Sequence, residues 1–247
     1  MGGVEGDCFP GTSTVMLENG KRQKMSDLKV GDSVLSVDTN GHHIFSPVIL
    51  FLHRSPEVRN RFHEIQTETG HSITLTPSHL IYTKYRNEEQ EYLNTKINES
   101  RINLIDNRLA HKEIETFQVG YASNVKEGDF VLVFDTNHDL KPSRVLNVKV
   151  NVQSGVYAPL TLQGNLVVDD VLASCYAVMN NHAMAHLSFS PFRWWYHIKT
   201  YLPYSGNGLK MGNDLNDNGI HWYANDLYSL VKTIDYFKTI DYYQNNF

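Results

Sequence analysis

From about Cys8 to Met179 the hydrophobic positions fall in short runs, with little of the three-to-four-residue spacing of a helix. Val, Ile, Leu, Thr and aromatic residues gather in Ser33–Val37, Val48–Leu52, Ser72–Thr76, Phe130–Phe134, Ser143–Val150 and Leu166–Val171. Turn chemistry separates them at Glu18-Asn19-Gly20, Thr39-Asn40-Gly41 and Glu68-Thr69-Gly70. Many short strands with frequent turns predict a compact, mainly β domain. Past Met179 the pattern changes: more than half of the aromatic residues lie between Leu187 and Phe247. The spacings Trp194–His197–Tyr201 and Trp222–Leu227–Leu230 predict amphipathic helices. The chain therefore divides into a stub at 1–7, a β unit at 8–180 and an aromatic-rich helical appendage at 181–247.

An internal repeat sharpens the β unit. Lys29-Val-Gly-Asp-Ser-Val-Leu-Ser-Val-Asp38 matches Lys126-Glu-Gly-Asp-Phe-Val-Leu-Val-Phe-Asp135 at Lys, Gly, Asp, Val, Leu and the final Asp, about 97 residues on. A weaker echo runs from Thr67–Gly70 and Thr76–His79 to Thr161–Gly164 and Ala173–Cys175, about 94 residues on. Two matches in order and register predict two similar β subdomains in a pseudo-symmetric pair. They also predict that the His79 and Cys175 regions sit at equivalent strand ends.

Composition then removes several function classes. The net charge of −5 and the lack of any Lys/Arg tract argue against nucleic acid as a partner. No apolar run approaches the roughly 18 residues that span a bilayer. Met1–Asp7 lacks the charged and apolar regions of a signal peptide and reads as a remnant of something upstream. Two cysteines make neither a disulfide framework nor a zinc ribbon, and the twelve histidines form no paired-ligand pattern, so no metal is implied.

Cys8 stands at the head of the folded unit, where a cysteine must sit to attack the carbonyl of its own preceding peptide bond. The attack turns an amide into a thioester, and the departing nitrogen needs an acid to protonate it. Thr76-Pro77-Ser78-His79 supplies the means: Pro77 ends a strand, and the turn presents a hydroxyl and an imidazole three residues apart. The hydroxyl can hold the scissile amide, and the imidazole can exchange a proton near neutral pH. The plainer reading of Cys8 is a buried small hydrophobe.

Cys8-Phe9-Pro10-Gly11 with Thr14, Lys29–Asp38, Val48–Leu52, Thr76–His79, Ala173–Val178 and Gly219–Ala224 together resemble the C-terminal autoprocessing region of the hedgehog family. The resemblance implies a Hint fold, a pseudo-two-fold β disc shared with inteins, followed by a sterol-recognition region. It implies Cys8 as nucleophile, Thr76 and His79 as the pair that activates the Asp7–Cys8 bond, and transfer of the acyl group to a sterol such as cholesterol. The product would be a lipidated upstream signal domain, made in the secretory pathway by a monomer without a cofactor. Two positions depart from the family. His53 stands where the family has the aspartate that acts as base on the sterol hydroxyl, and Asp7 stands where it has glycine. These departures point toward a divergent nematode relative of the warthog or groundhog type. Cys175 matches a second family cysteine, and three readings of it stay open: a packed thiol, a tuner of thiol exchange, or a disulfide partner for Cys8.

The tail has two readings as well. Its rings either pack helices onto the disc, or Phe192, Trp194, Trp195, Trp222 and Tyr223 wall a sterol site. With Arg193, Lys199 and Lys232 beside them they also suit a membrane interface. The competing functions are an intein-like domain that loses the acyl group to water, and a lipid-binding module without catalysis.

Overall fold

In a computed structural model the described residues are 8–86, 116–135 and 139–177, with isolated positions at 190, 193, 194, 196, 219 and 220. The strands are β1 (Thr14–Met16), β2 (Arg22–Lys24), β3 (Ser33–Val37), β4 (His43–Thr67), β5 (Ser72–Leu75), β6 (His79–Lys84), β7 (Gln118–Tyr121), β8 (Phe130–Phe134), β9 (Leu140–Thr161), β10 (Asn165–Val168), β11 (Val171–Ala177) and β12 (Gly219–Ile220). They join antiparallel in the order β12-β4-β9-β8-β6-β11-β10-β1-β2, with β3 and β5 on β4 and β7 on β6. The mainly β fold expected from the residue pattern is the fold observed.

The repeat is written into the hydrogen bonds. In the first copy the Lys29 N–H donates to Asp32 Oδ2 at 2.8 Å, and in the second the Lys126 N–H donates to Asp129 Oδ2 at 2.8 Å. The intervening glycines carry the same left-handed backbone, Gly31 at φ 97° and Gly128 at φ 94°, which explains why both copies hold glycine there. Pairing follows suit: Ser33 opposes Pro47 and Val37 opposes His43, while Phe130 opposes Arg144 and Phe134 opposes Leu140. The halves also exchange a bond. The Glu68 N–H donates to the Arg144 carbonyl, and the equivalent Leu162 N–H donates to the Pro47 carbonyl. A reciprocal exchange of that kind is what a two-fold relation produces.

Both copies bury alternate residues in two places. Val34 and Val131 enter the main core, and Leu35 and Leu132 enter a smaller one with Val37, Phe134, Leu140, Val167 and Leu172. At roughly 1.5–3 kcal/mol for each fully buried aliphatic or aromatic side chain, these strands hold their faces firmly. The long strands β4 and β9 pair from Val48–Thr161 to Thr67–Val145, with register shifts that let one strand serve both halves.

Three expectations change. Leu166–Val171 is not one strand: Asp169 and Asp170, at φ 49° and 65°, make a two-residue hairpin between Val168 and Val171. That turn is the counterpart of Thr76–Ser78, so Cys175 falls inside β11 rather than at an equivalent strand end. Arg193, expected among interface cations, is buried, its Nε donating to the Leu162 carbonyl at 2.9 Å and its guanidinium over the Tyr176 ring. Ser190, Arg193, Trp194 and Tyr196 have helical backbone, but the helices expected over 181–247 otherwise lie outside the described residues.

Candidate active site

Cys8 is buried at the head of the disc, and its peptide is held on both sides. Its N–H donates to Thr76 Oγ1 at 2.8 Å, and its carbonyl accepts from the Thr76 N–H at 3.0 Å. The next residue is fixed as tightly: Phe9 and Tyr157 exchange N–H to carbonyl bonds, each 2.9 Å. Two residues on, the Tyr157 ring lies so close to Gly11 that an added Cβ would sit 2.9 Å from it, which accounts for glycine in the Cys8–Gly11 run. The nitrogen of the Asp7–Cys8 bond is therefore placed by the strands around it. Asp7 itself lies outside the described residues.

Pro77 ends β5 as its missing N–H dictates, and the turn returns through the Thr76 carbonyl, which accepts from the His79 N–H at 3.0 Å. His79 is buried with its ring 4.3 Å from that of Phe9. Its Nε2 lies 2.9 Å from the Ser174 carbonyl on β11. A carbonyl only accepts, so Nε2 carries a proton and Nδ1 is the nitrogen left to gain or lose one. The bond to Ser174 thus fixes the tautomer.

His53 arrives from the other side. On β4, Phe51 opposes Pro159 and His53 opposes Ala158, so Leu52 is an extra residue on its strand. The irregularity resets the in-out alternation and leaves His53 buried, 9% exposed, with Nδ1 3.5 Å from Cys8 Sγ. Burial lowers its pKa below the usual imidazole value, so it is neutral at pH 7. On its outer edge His53 pairs with Ile220 of β12.

Cys175 belongs to a different neighbourhood. Its sulfur lies 3.4 Å from Thr161 Oγ1 and accepts from the Thr161 N–H at 3.5 Å, and burial pushes its pKa up to about 11. Both cysteines are free thiols in this structure. Trp194 is 69% exposed, while Phe192, Trp195, Trp222 and Tyr223 lie outside the described residues. Among the described residues no group of three His, Cys, Asp or Glu side chains is placed to hold a metal ion.

The structure thus brings Cys8, Thr76 and His53 into direct contact, sets His79 one turn further on, and leaves Cys175 apart. The sequence reading missed Ser174, which fixes the His79 tautomer, and Asp169, whose carboxylate accepts from Thr14 N–H at 2.7 Å and Thr14 Oγ1 at 2.9 Å. An Asp-Asp pair between valines was the available sign of Asp169; a main-chain acceptor such as Ser174 leaves none.

A cysteine-headed, two-fold β disc of this kind defines a class, and residues 3–236 match the Hint module family model; the chain belongs to the Hint family. Within that family it is similar to hedgehog proteins. It is 34% identical over 226 residues to Sonic hedgehog protein of Danio rerio, covering 91% of this chain and 49% of that protein. It is 37% identical over 228 residues to Tiggy-winkle hedgehog protein of Danio rerio, covering 91% and 48%. It is 35% identical over 232 residues to Protein hedgehog of Drosophila virilis, covering 90% and 42%. The chain therefore spans less than half the length of these relatives. It also resembles a DnaB intein from Synechocystis, with TM-score 0.49, 13% identity and coverage of 70% of this chain and 100% of that one. The chain is thus a Hint-family domain similar in sequence to these hedgehog proteins.

Proposed function

We propose that this domain cuts the Asp7–Cys8 bond by an N-to-S acyl shift and hands the resulting thioester to a sterol-like alcohol, releasing a lipidated upstream signal domain. The observation that supports this most directly is the Cys8 peptide nitrogen resting on Thr76 with Sγ against an imidazole. Thr76 fixes the leaving nitrogen, and His79, its Nε2–H held by Ser174, protonates it from Nδ1 when the ring is imidazolium. His53, neutral and beside the sulfur, is the base that takes the alcohol proton in the second step.

The tail has a specific reason to supply the alcohol. β12 pairs with Arg54 and His53, and the aromatic run His221-Trp222-Tyr223 is the next stretch of the sequence. Trp222 and Tyr223, with Phe192, Trp194 and Trp195, are proposed to line the sterol and to meet a membrane surface. A sterol acceptor and hedgehog relatives imply the secretory pathway as the setting.

The test uses the full chain with a reporter domain joined ahead of Met1, incubated with hydroxylamine, with cholesterol in detergent, or with buffer alone. Mass spectrometry of the released piece is expected to show a hydroxamate in the first case and a cholesterol ester in the second. A hydroxamate in the first case with only free carboxylate in the second would replace sterol transfer with hydrolysis. No release at all would leave a lipid-binding module.

A further inference from the structure

The strand that holds the His79 ring is itself out of register. β11 pairs evenly with β10, from Val171 opposite Val168 to Ser174 opposite Asn165. On its other edge Ala173 opposes Ile81 and Ala177 opposes His79, so β11 advances four residues while β6 advances two. β6 keeps an even ladder with β7, from Leu80 opposite Tyr121 to Thr83 opposite Gln118, so the surplus belongs to β11. A surplus of that kind takes main-chain groups out of the ladder, and each buried one needs another partner.

Those partners lie close by. The Ser174 carbonyl accepts from His79 Nε2 at 2.9 Å, and the Cys175 N–H donates to the Gly164 carbonyl at 2.9 Å. The buried Tyr176 N–H donates to Ser174 Oγ at 3.0 Å, two residues back along its own strand. A serine hydroxyl that closes onto a nearby main-chain N–H is a local alternative to sheet pairing. Here it sits in the middle of the irregular stretch, on a residue with no exposed surface.

We propose that Ser174 is a positioning residue for the imidazole: by accepting from the Tyr176 N–H, its hydroxyl keeps β11 in the shape that aims the Ser174 carbonyl at His79 Nε2. The inference rests on the self-cleavage proposed above for what the ring then does. Alanine at 174 keeps the carbonyl and removes only the hydroxyl. The Tyr176 N–H would then be buried without its acceptor, and the nearest remedy is for β11 to shift toward an even ladder with β6. Tyr176 has little freedom to find another, since its ring is buried beneath the Arg193 guanidinium. A shift of β11 draws the carbonyl away from Nε2. The Phe9 ring, 4.3 Å from that of His79, confines the imidazole but offers no acceptor of comparable strength.

The experiment reads the ring and the reaction separately. In the full chain carrying Cys8→Ala, which prevents the proposed cleavage, a buried and bonded His79 Nε2–H exchanges slowly with water. It gives its own proton–nitrogen resonance, identified by its loss in His79→Ala. Adding Ser174→Ala is expected to abolish that resonance, and Ser174→Thr to keep it. In the reporter fusion, hydroxylamine-dependent cleavage is expected to fall about tenfold in Ser174→Ala and to return to within about threefold in Ser174→Thr. Should Ser174→Ala fail to fold, Ser174→Thr against Ser174→Val makes the same comparison, because the two differ only by a hydroxyl for a methyl. A resonance that survives loss of the hydroxyl overturns the inference, even if cleavage slows. So does a lost resonance with cleavage unchanged. If hydroxylamine fails to cut the unaltered fusion, the self-cleavage reading falls, while the resonance still decides whether the hydroxyl holds the ring.

Discussion

The two halves of the disc hold the N-terminal segment with the same grip. In the first, Thr76 Oγ1 accepts from the Cys8 N–H while the Thr76 N–H donates to the Cys8 carbonyl. In the second, Asp169 Oδ1 accepts from the Thr14 N–H while the Asp169 N–H donates to the Thr14 carbonyl, at 2.9 Å. Thr76 and Asp169 occupy equivalent turns, each between two short strands. What differs is the company. Around Cys8 the fold adds two imidazoles; around Thr14 it adds an ion pair, Arg22 with Asp170 at 2.7 Å. A duplicated clamp carries the proposed reaction site on one side and a strut on the other, so each half serves as the control for the other.

The largest effect is expected at the imidazole that only one half possesses. His79→Ala removes the proposed acid for the leaving nitrogen, and hydroxylamine-dependent cleavage is expected to fall 10²- to 10⁴-fold, about the span of general acid catalysis. No residue of the Asp169 turn should approach that figure. A loss below threefold in His79→Ala, measured as rate on the folded fusion, would make the two clamps chemically equal.

Next come the clamps. Thr76→Val leaves a buried N–H without its acceptor, costing about 1–3 kcal/mol in stability by urea denaturation, and it lets the scissile nitrogen wander, so cleavage falls too. Asp169→Ala strips two bonds from Thr14 and is expected to cost about as much, yet to leave the cleavage rate of the folded protein within twofold. Equal losses of rate would show that the strut positions the nucleophile after all.

Acid separates the halves more subtly. His53 has a folded pKa below its unfolded value, so its contribution to stability is whole above about pH 6.5 and is lost as pH falls through the window beneath it. Asp169 is shifted the other way, raised mainly by burial. Between about pH 3.9 and its raised folded value the native state holds the extra proton, so acidification there favours folding. His53→Gln should flatten the loss of stability just below pH 6.5, and Asp169→Asn should remove an opposing gain at lower pH. Urea melts along a pH series would reveal both slopes.

How much of this was legible depended on whether the information was local. Strands Ser33–Val37 and Phe130–Phe134 were readable residue for residue, because apolar runs and the flanking Gly-Asp turns determine them without outside help. The same held for the doubled architecture, since a repeat is a property of the sequence itself. The Asp169–Asp170 hairpin was hidden inside a valine-rich run; two non-glycine residues in the left-handed region are uncommon, and here Thr14 helps to pin one of them. The approach of His53 to Cys8 was beyond reach for a different reason. It depends on an irregularity at Leu52 that inverts the alternation of β4, and strand periodicity carries no sign of such a shift. Family resemblance supplied the position of His53, but only the fold supplied its distance from sulfur.

The smallest effect sharpens the comparison by separating the two thiols. Cys8 and Cys175 are both buried, but Cys8 faces an imidazole and Cys175 faces the Thr161 hydroxyl and main-chain N–H. Thr161 has other partners, donating to the Asn165 carbonyl at 2.8 Å and accepting from the Gly164 N–H at 3.0 Å, so losing the sulfur leaves its hydroxyl satisfied. Cys175→Ala should therefore cost about 1 kcal/mol or less at pH 7 and leave cleavage unchanged. Its signature lies at high pH. An unfolded cysteine ionises near pH 9.0 and the folded Cys175 near 11, so the native state resists losing that proton, and stability drains away as pH climbs between the two. The alanine variant should lose that alkaline slope. If it also loses cleavage, or if the native protein forms a Cys8–Cys175 bond under mild oxidation, the second thiol belongs to the reaction and not to the packing.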